Sequence, residues 1–473
     1  MPSRGVSVLV CVNCKLRKKK CDKARPRCGY CARKNLDCQS SSNDEKNPQL
    51  RRLLATPFPA IRSSMLLADT LSAVLQDQPT NLHSTMYLQI LRIIRSTDQT
   101  VDEVCLRYFR GMHSFTPILS TSLFHEQLTH LAAFPSGTFS ILLLSMALVT
   151  YHPSLVISSS TVDQETLYLT TKSLYAQARS TFSDSLPLIQ AGIIIASYEY
   201  ATRRVDEAFC SISVCARMGY ASGLHAVSLT EGSDHHPQTA EKNNTWWGIV
   251  IAERTIFCEA NTLQQPIISS FPEEDIPLPK EPVSVEWDSD LFTDAVSRRC
   301  SAMEDCEGLS RVTQAAWLLD QVLRACDGRD MDIRLAQLDK LDYALRACLA
   351  LTMEQSDGRW GLFCTANAII FRALFILHRK VIESATGVAR SSSYVALETA
   401  TQMVKDIATT QHTMSLADMD TLPPSRAFVF RAALRYLDEI GTKCDRWDSV
   451  RAHLEASLKM FDDRWNVGPP HIS

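Results

Sequence analysis

From about residue 101 onward, apolar side chains recur at intervals of three and four. Leu309, Val312, Ala316, Leu319 and Leu323 form one stripe. Leu338, Leu341, Leu345 and Cys348 form a second, and Leu362, Ala366, Ile369, Ala373 and Leu377 a third. Such spacing puts the apolar residues of a helix on one face. Alternation at period two over several residues is scarce, so the body is expected to be all helical, an irregular bundle or solenoid-like array. The apolar run Phe139–Tyr151 is too short to cross a bilayer and reads as a core helix.

Ahead of residue 101 the pattern weakens. Residues 39–50 turn to Ser, Asn, Asp, Lys and Pro and read as a linker. Leu50-Arg-Arg-Leu-Leu54 opens a helical pattern that Pro57 and Pro59 stop within about two turns. A second short stretch, Ser84–Arg95, sets Leu88, Leu91 and Arg95 at helical spacing. Sustained heptads of a coiled coil are absent. The expected organisation is a small head at 11–38, a linker with short helical pieces at 39–100, and a helical domain at 101–473.

Charge separates head from body. The chain carries a net charge of −3. Its first 38 residues hold eleven basic and two acidic side chains, a balance of +9 that leaves −12 for the rest. A basic tip on an acidic body suits contact with a polyanion at one end.

Six of the 16 cysteines fall in the head, as Cys11-x2-Cys14-x6-Cys21 and, after six residues, Cys28-x2-Cys31-x6-Cys38. One motif is written twice, and each copy supplies three thiols. Zinc takes four ligands in a tetrahedron, with thiolate sulfur among its preferred donors. Six sulfurs fill the eight positions around two ions if two of them bridge. Because the halves are equivalent, the bridging pair should be symmetry partners, and Cys11 and Cys28, which open the halves, are the expected pair. The other ten cysteines form no second close-spaced set. With no secretory signal, they read as buried, reduced thiols of an intracellular protein, which argues against a disulfide knot in the head.

The head resembles the Zn2Cys6 binuclear-cluster DNA-binding domain of fungal transcription regulators at every cysteine position. The resemblance implies the same bridging pair, with Cys14 and Cys21 on one zinc and Cys31 and Cys38 on the other. It also covers the basic run Lys15–Lys20, the Cys21-Asp22 pair and Pro26. A short helix is expected between the second and third cysteine of each half, carrying Lys15, Arg17, Lys18, Lys19 and Lys20 in the first. Residues on such a helix fan out by about 100° each, so only one or two can enter a major groove. The match places the base-reading residue at Lys18, with Arg17 as its helper. Lys15, Lys20, Lys23 and Arg27 are expected at phosphates, positioning the head without reading sequence. The resemblance implies CGG-type triplets as targets.

Four phrases of the body resemble, in order, the fungal-specific transcription factor domain over about 101–280. Tyr108-Phe-Arg-Gly-Met-His113 through Pro117 to Phe124 looks like its opening motif, and Ala216 to His225 like its central signature. Trp246-Trp247 followed by Glu253-Arg254 is similar to the next helix, and Phe271 to Pro279 to the loop after it. The Arg-rich lead-in to the paired tryptophans is Lys242-Asn-Asn-Thr here, so no role is carried over for those arginines.

Together these features imply a nuclear, zinc-dependent regulator of RNA polymerase II transcription controlling a metabolic or biosynthetic gene set. Its partners are double-stranded DNA and the transcription machinery or coregulators, with no membrane. The resemblance also admits a homodimer partner and a small-molecule effector. The rival from another class is a cofactor whose zinc head docks on protein or RNA without reading DNA. An enzyme is not expected, because no phosphate loop, nucleophile elbow or HExxH motif is present. His113, His225, Glu253, Trp246 and Trp247 are expected to be core residues before anything else.

Overall fold

The structure, a computed structural model, describes residues 19–22, 28–34, 82–152, 162–182, 185–226, 237–260, 266–271, 278–279, 300–301, 308–328, 330–356, 363–414, 416–440 and 445–467. The chain divides into two compact units, Met1–Leu66 and Leu67–Ser473, and each is described by itself. In the first unit the described part contains one helix, α1 (Gly29–Arg33).

The second unit is built of helices, as the periodicity predicts. Its first nest comprises α2 (Leu82–Ser96), α3 (Val101–Arg110), α4 (Thr121–His130), α5 (Gly137–Thr150), α6 (Gln164–Thr181), α7 (Leu186–Ala201), α8 (Val205–Ala221) and α9 (Pro237–Phe257). The second comprises α10 (Leu309–Asp327), α11 (Met331–Ser356), α12 (Cys364–Ser384), α13 (Gly387–Gln411), the short α14 (Leu416–Met419), α15 (Ser425–Ile440) and α16 (Asp445–Trp465). α5 and α7 are apolar on every side and buried along nearly their whole length, as befits helices surrounded by others. α2, α3, α6 and α7 pack on α5, and α8 packs on both α7 and α9. α12 holds the same place in the second nest, against α10, α11, α13 and α15. Packing of α9 on α10 joins the two.

Local signals fix the helix starts. Thr100 and Glu103 form a reciprocal capping box at α3. The Asp163 carboxylate accepts the Thr166 N–H at 2.7 Å and starts α6. At α5 the His83 Nδ1 accepts the Gly137 N–H at 2.9 Å.

Two expectations need correction. α2 is not a linker piece: Met86, Ile90, Ile93 and Ile94 bury one face in the core, so packing begins before residue 101. The stripe read from sequence there is the outward one, with Leu88 53% exposed and Arg95 exposed. Two stripes closely spaced on one short helix cannot be ranked without the partner helix. Among the described residues Leu278–Pro279 pair in parallel with Cys300–Ser301, a two-residue contact that leaves the body helical. Nor are all the body thiols buried, since Cys210 is exposed. Cys215 and Cys348 are buried as expected, and burial pushes the Cys215 thiol up to about 12. The stripes at Leu309–Leu319, Leu338–Cys348 and Ala366–Leu377 do face the core. Leu50–Leu54 and Leu362 lie outside the described residues. Among the described residues no helix is long and apolar enough to cross a membrane.

Candidate metal centre and nucleic-acid interface

The head has almost no apolar material with which to make a core. Among the described residues its buried cluster is Cys28 and Cys31, with Cys21 and Tyr30 packed against them. Cys28 is the N-cap of α1, and its Sγ accepts the Cys31 N–H at 3.4 Å. A helix places residues three apart on the same side, so α1 turns Cys28 and Cys31 together. Its N-terminal amides also favour negative charge on the capping sulfur.

Seven residues upstream, Cys21 returns to the same place. The Sγ atoms of Cys21 and Cys28 and a carboxylate oxygen of Asp22 all lie within 4.8 Å of one another. Two thiolates on one tetrahedral zinc, each at about 2.3 Å, stand roughly 3.8 Å apart. The spacing therefore fits a shared metal, and soft sulfur donors suit zinc. Asp22 ties this junction: both of its oxygens accept the Gly29 N–H at 2.9 Å. The resemblance covers the Cys21-Asp22 pair but gives Asp22 no role at the site, and Gly29 is not among the expected site residues. The available signal was their position, each directly following a cysteine.

The expected helices shift. α1 begins directly after the first cysteine of the second half and contains Cys31, instead of lying between Cys31 and Cys38. Lys19 and Lys20 are exposed but sit in non-helical backbone, because the chain must leave any helix to carry Cys21 back to Cys28. Arg33 and Lys34 add exposed positive charge at the far end of α1. Cys11, Cys14, Lys15, Arg17, Lys18, Lys23, Pro26, Arg27 and Cys38 lie outside the described residues.

In the body, the phrases singled out from sequence interlock as structure. Trp246 is fully buried and meets Tyr220 edge-on at 5.0 Å. Gly219 permits this contact, since a Cβ there would stand 2.9 Å from the Trp246 ring. His225 packs on Tyr220 at 4.7 Å, and Phe109 meets Phe124 at 5.1 Å next to His113. Glu253 accepts the N–H groups of Ile268 and Ser269 at 2.9 and 2.8 Å. Arg254 donates to the Ser269 carbonyl at 2.7 Å and to Asp320 at 3.2 Å, and its guanidinium lies over Phe271. Glu253 and Arg254 thus clamp the 266–271 segment, and Arg254 also ties α9 to α10. Burial pulls the Arg254 pKa down, with Asp320 and Glu253 opposing it.

A second buried lock was not foreseen. Arg372 on α12 is fully buried, lies 3.8 Å over Phe428, and donates to the Thr255 carbonyl, the Tyr200 hydroxyl and Glu259. Arg431 on α15 reaches the other Glu259 oxygen at 2.7 Å. Burial works against the Glu259 charge, but Arg372 and Arg431 outweigh it and hold the carboxyl below its ordinary value. Nearby, Pro117, Ile118, Gly248, Ile251 and Pro424 line an apolar cavity of about 70 Å³ with the Tyr200 side chain on its wall. Nothing in these clusters combines a nucleophile, a base and an open cleft.

Comparison with known proteins agrees with both halves of this description. Residues 9–48 match the family described as the fungal Zn(2)-Cys(6) binuclear cluster domain. Residues 106–349, about half of the chain, match the fungal specific transcription factor domain and extend past the phrases read from sequence. The chain is also similar to "Transcription factor BOA15" of Botryotinia fuckeliana (strain B05.10). The two are 30% identical over 125 residues, which cover 26% of this chain and 68% of that protein.

Proposed function

The chain belongs to the fungal Zn(2)-Cys(6) transcription factors with a fungal specific transcription factor domain, and we propose that it is a sequence-specific regulator of RNA polymerase II transcription. The family is one of transcription factors and not of enzymes. Its cluster domain implies zinc and DNA, and its action implies the nucleus.

Cys11, Cys14, Cys21, Cys28, Cys31 and Cys38 hold two zinc ions, with Cys11 and Cys28 shared. Zinc here supplies no reaction; it cross-links the head so that basic side chains are presented in a fixed arrangement. Lys18, helped by Arg17, reads base edges of a CGG-type triplet in the major groove, while Lys15, Lys20, Lys23 and Arg27 meet phosphates. A triplet is short, so a second copy of the chain or flanking contacts extend the site. The acidic body meets coregulators, and its helices hold a small-molecule effector between them. The regulated genes form a metabolic or biosynthetic set. The observation that carries this reading is the gathering of the Cys21 and Cys28 sulfurs within 4.8 Å of each other, next to exposed Lys19 and Lys20.

Selection from random duplexes with the full zinc-loaded chain tests it, and a CGG-type triplet should be enriched. Lys18→Ala should relax that preference. Lys23→Ala should weaken binding to all sequences alike and lower the salt slope by about 1. A pool that enriches no motif would favour a head that docks on protein or RNA instead.

A further inference from the structure

We propose that Asp22 is the positioning residue of the metal centre, acting through the Gly29 N–H to hold Cys28 beside Cys21. The inference rests on the zinc reading above and goes beyond the cysteines to the group that brings the two halves of the motif together.

Cys21 directly precedes Asp22, and Cys28 directly precedes Gly29. A hydrogen bond between Asp22 and Gly29 therefore fixes the backbone next to both sulfurs at once. The structure shows this bond twice over, with Oδ1 and Oδ2 each 2.9 Å from the Gly29 nitrogen. The first amides of a helix have no partner within it. Here the Gly29 amide goes to the Asp22 carboxylate, and the Cys31 amide goes to Cys28 Sγ. One helix end thus serves a carboxylate from the first half of the motif and a thiolate from the second.

Gly29 is the counterpart of this device. A Cβ at that position would stand 2.5 Å from Asp22 Oδ2, so any larger residue pushes the carboxylate away. The glycine keeps the carboxylate's approach open, and backbone freedom is not the reason for it. Asp22 could instead be a metal ligand, since its oxygen lies within 4.8 Å of both sulfurs. The hydrogen bonding argues otherwise: both oxygens point at the Gly29 amide, and the six cysteines already fill the positions around two ions. Groups that orient ligands in this way govern metal affinity without touching the metal.

The test is a double-mutant cycle in the full chain, read as zinc affinity by competition with a chromophoric chelator. Asp22→Ala and Gly29→Ala should each weaken zinc binding by about 10–100-fold. The double variant should bind no more weakly than Asp22→Ala alone, because the methyl group then has nothing to displace. Asp22→Asn keeps an acceptor oxygen and should recover most of the loss. With cobalt at saturation, Asp22→Ala should retain the wild-type absorption bands. Wild-type affinity in Asp22→Ala, additive losses in the cycle, or no recovery in Asp22→Asn would overturn the proposal. Altered cobalt bands in Asp22→Ala would overturn it too, by making Asp22 a ligand. A wild-type chain that takes up neither zinc nor cobalt would instead remove the metal reading beneath it, and that outcome is seen before any variant is made.

Discussion

Cys28 and Cys31 in the head are as deeply buried as Trp246 and Ile249 in the body, yet different things bury them. Around Trp246 lies a continuous apolar core to which α5, α7 and α12 contribute nearly every turn. Around Cys28, among the described residues, the apolar neighbours are Cys31, Cys21 and Tyr30. A few tens of residues bury too little apolar surface to offset the ordering of their backbone. The head therefore depends on bonds to metal for its fold, whereas the body depends on side-chain packing. The polar groups follow the same division. In the body, Arg254 and Arg372 are spent on holding helices together. In the head, Lys19, Lys20, Arg33 and Lys34 face outward, ready for a partner.

Three substitutions in the body sharpen the contrast, because each should move its stability and leave zinc uptake alone. The largest effect belongs to Arg372→Met. It leaves the Thr255 carbonyl and the Tyr200 hydroxyl without the donor Arg372 supplies, and Glu259 with Arg431 and the Tyr200 hydroxyl. Removing one member of a buried ionic network costs about 3–5 kcal/mol, which denaturant unfolding would register. An unchanged midpoint would show that the Arg372 cluster is not a lock.

Gly219→Ala should cost less. Alanine gains about 1 kcal/mol in a helix, but forcing a methyl group to 2.9 Å from a fully buried Trp246 ring costs about 1–3 kcal/mol. Thermal unfolding should show a net loss of about 1 kcal/mol, and a stabilised variant would mean that the Trp246 contact is loose.

The smallest effect is a pH dependence. Burial pushes the His152 imidazole down, with Arg464 adding to the effect, and neither ring nitrogen has a hydrogen-bonding partner among the described residues. The folded body holds this ring neutral, whereas the unfolded chain takes up a proton near pH 6.5. The unfolded state therefore binds more protons below about 6.5, and stability falls as the pH drops through that point. His152→Phe removes the titration, so the loss of melting temperature between pH 7.5 and 5.5 should shrink. An unchanged loss would place the sensitivity elsewhere.

What could be read in advance follows the same division. The helical body was legible because Leu338, Leu341, Leu345 and Cys348 repeat at a period only a helix satisfies, and these residues do face the core. The cysteine spacing was legible because tetrahedral coordination limits how six thiols can be used. The inward face of α2 was not, since Leu88 and Ile90 are equally apolar and only packing on α5 decides between them. Arg372 with Glu259 was hidden for a related reason: the two are 113 residues apart, and a lone arginine in an apolar helix announces no partner. The Cys21-Asp22 pair was legible as part of the motif, but its bond to Gly29 was not, because that contact closes across seven residues at the junction of the two halves.

The measurement that bears most directly on the division between a metal-built head and a packed body is chelation of the full chain, followed by DNA selection and thermal unfolding of the same sample. Stripping zinc should abolish sequence preference while the main unfolding transition of the body stays where it was. Retention of DNA preference without metal, or collapse of the body together with the head, would contradict the account.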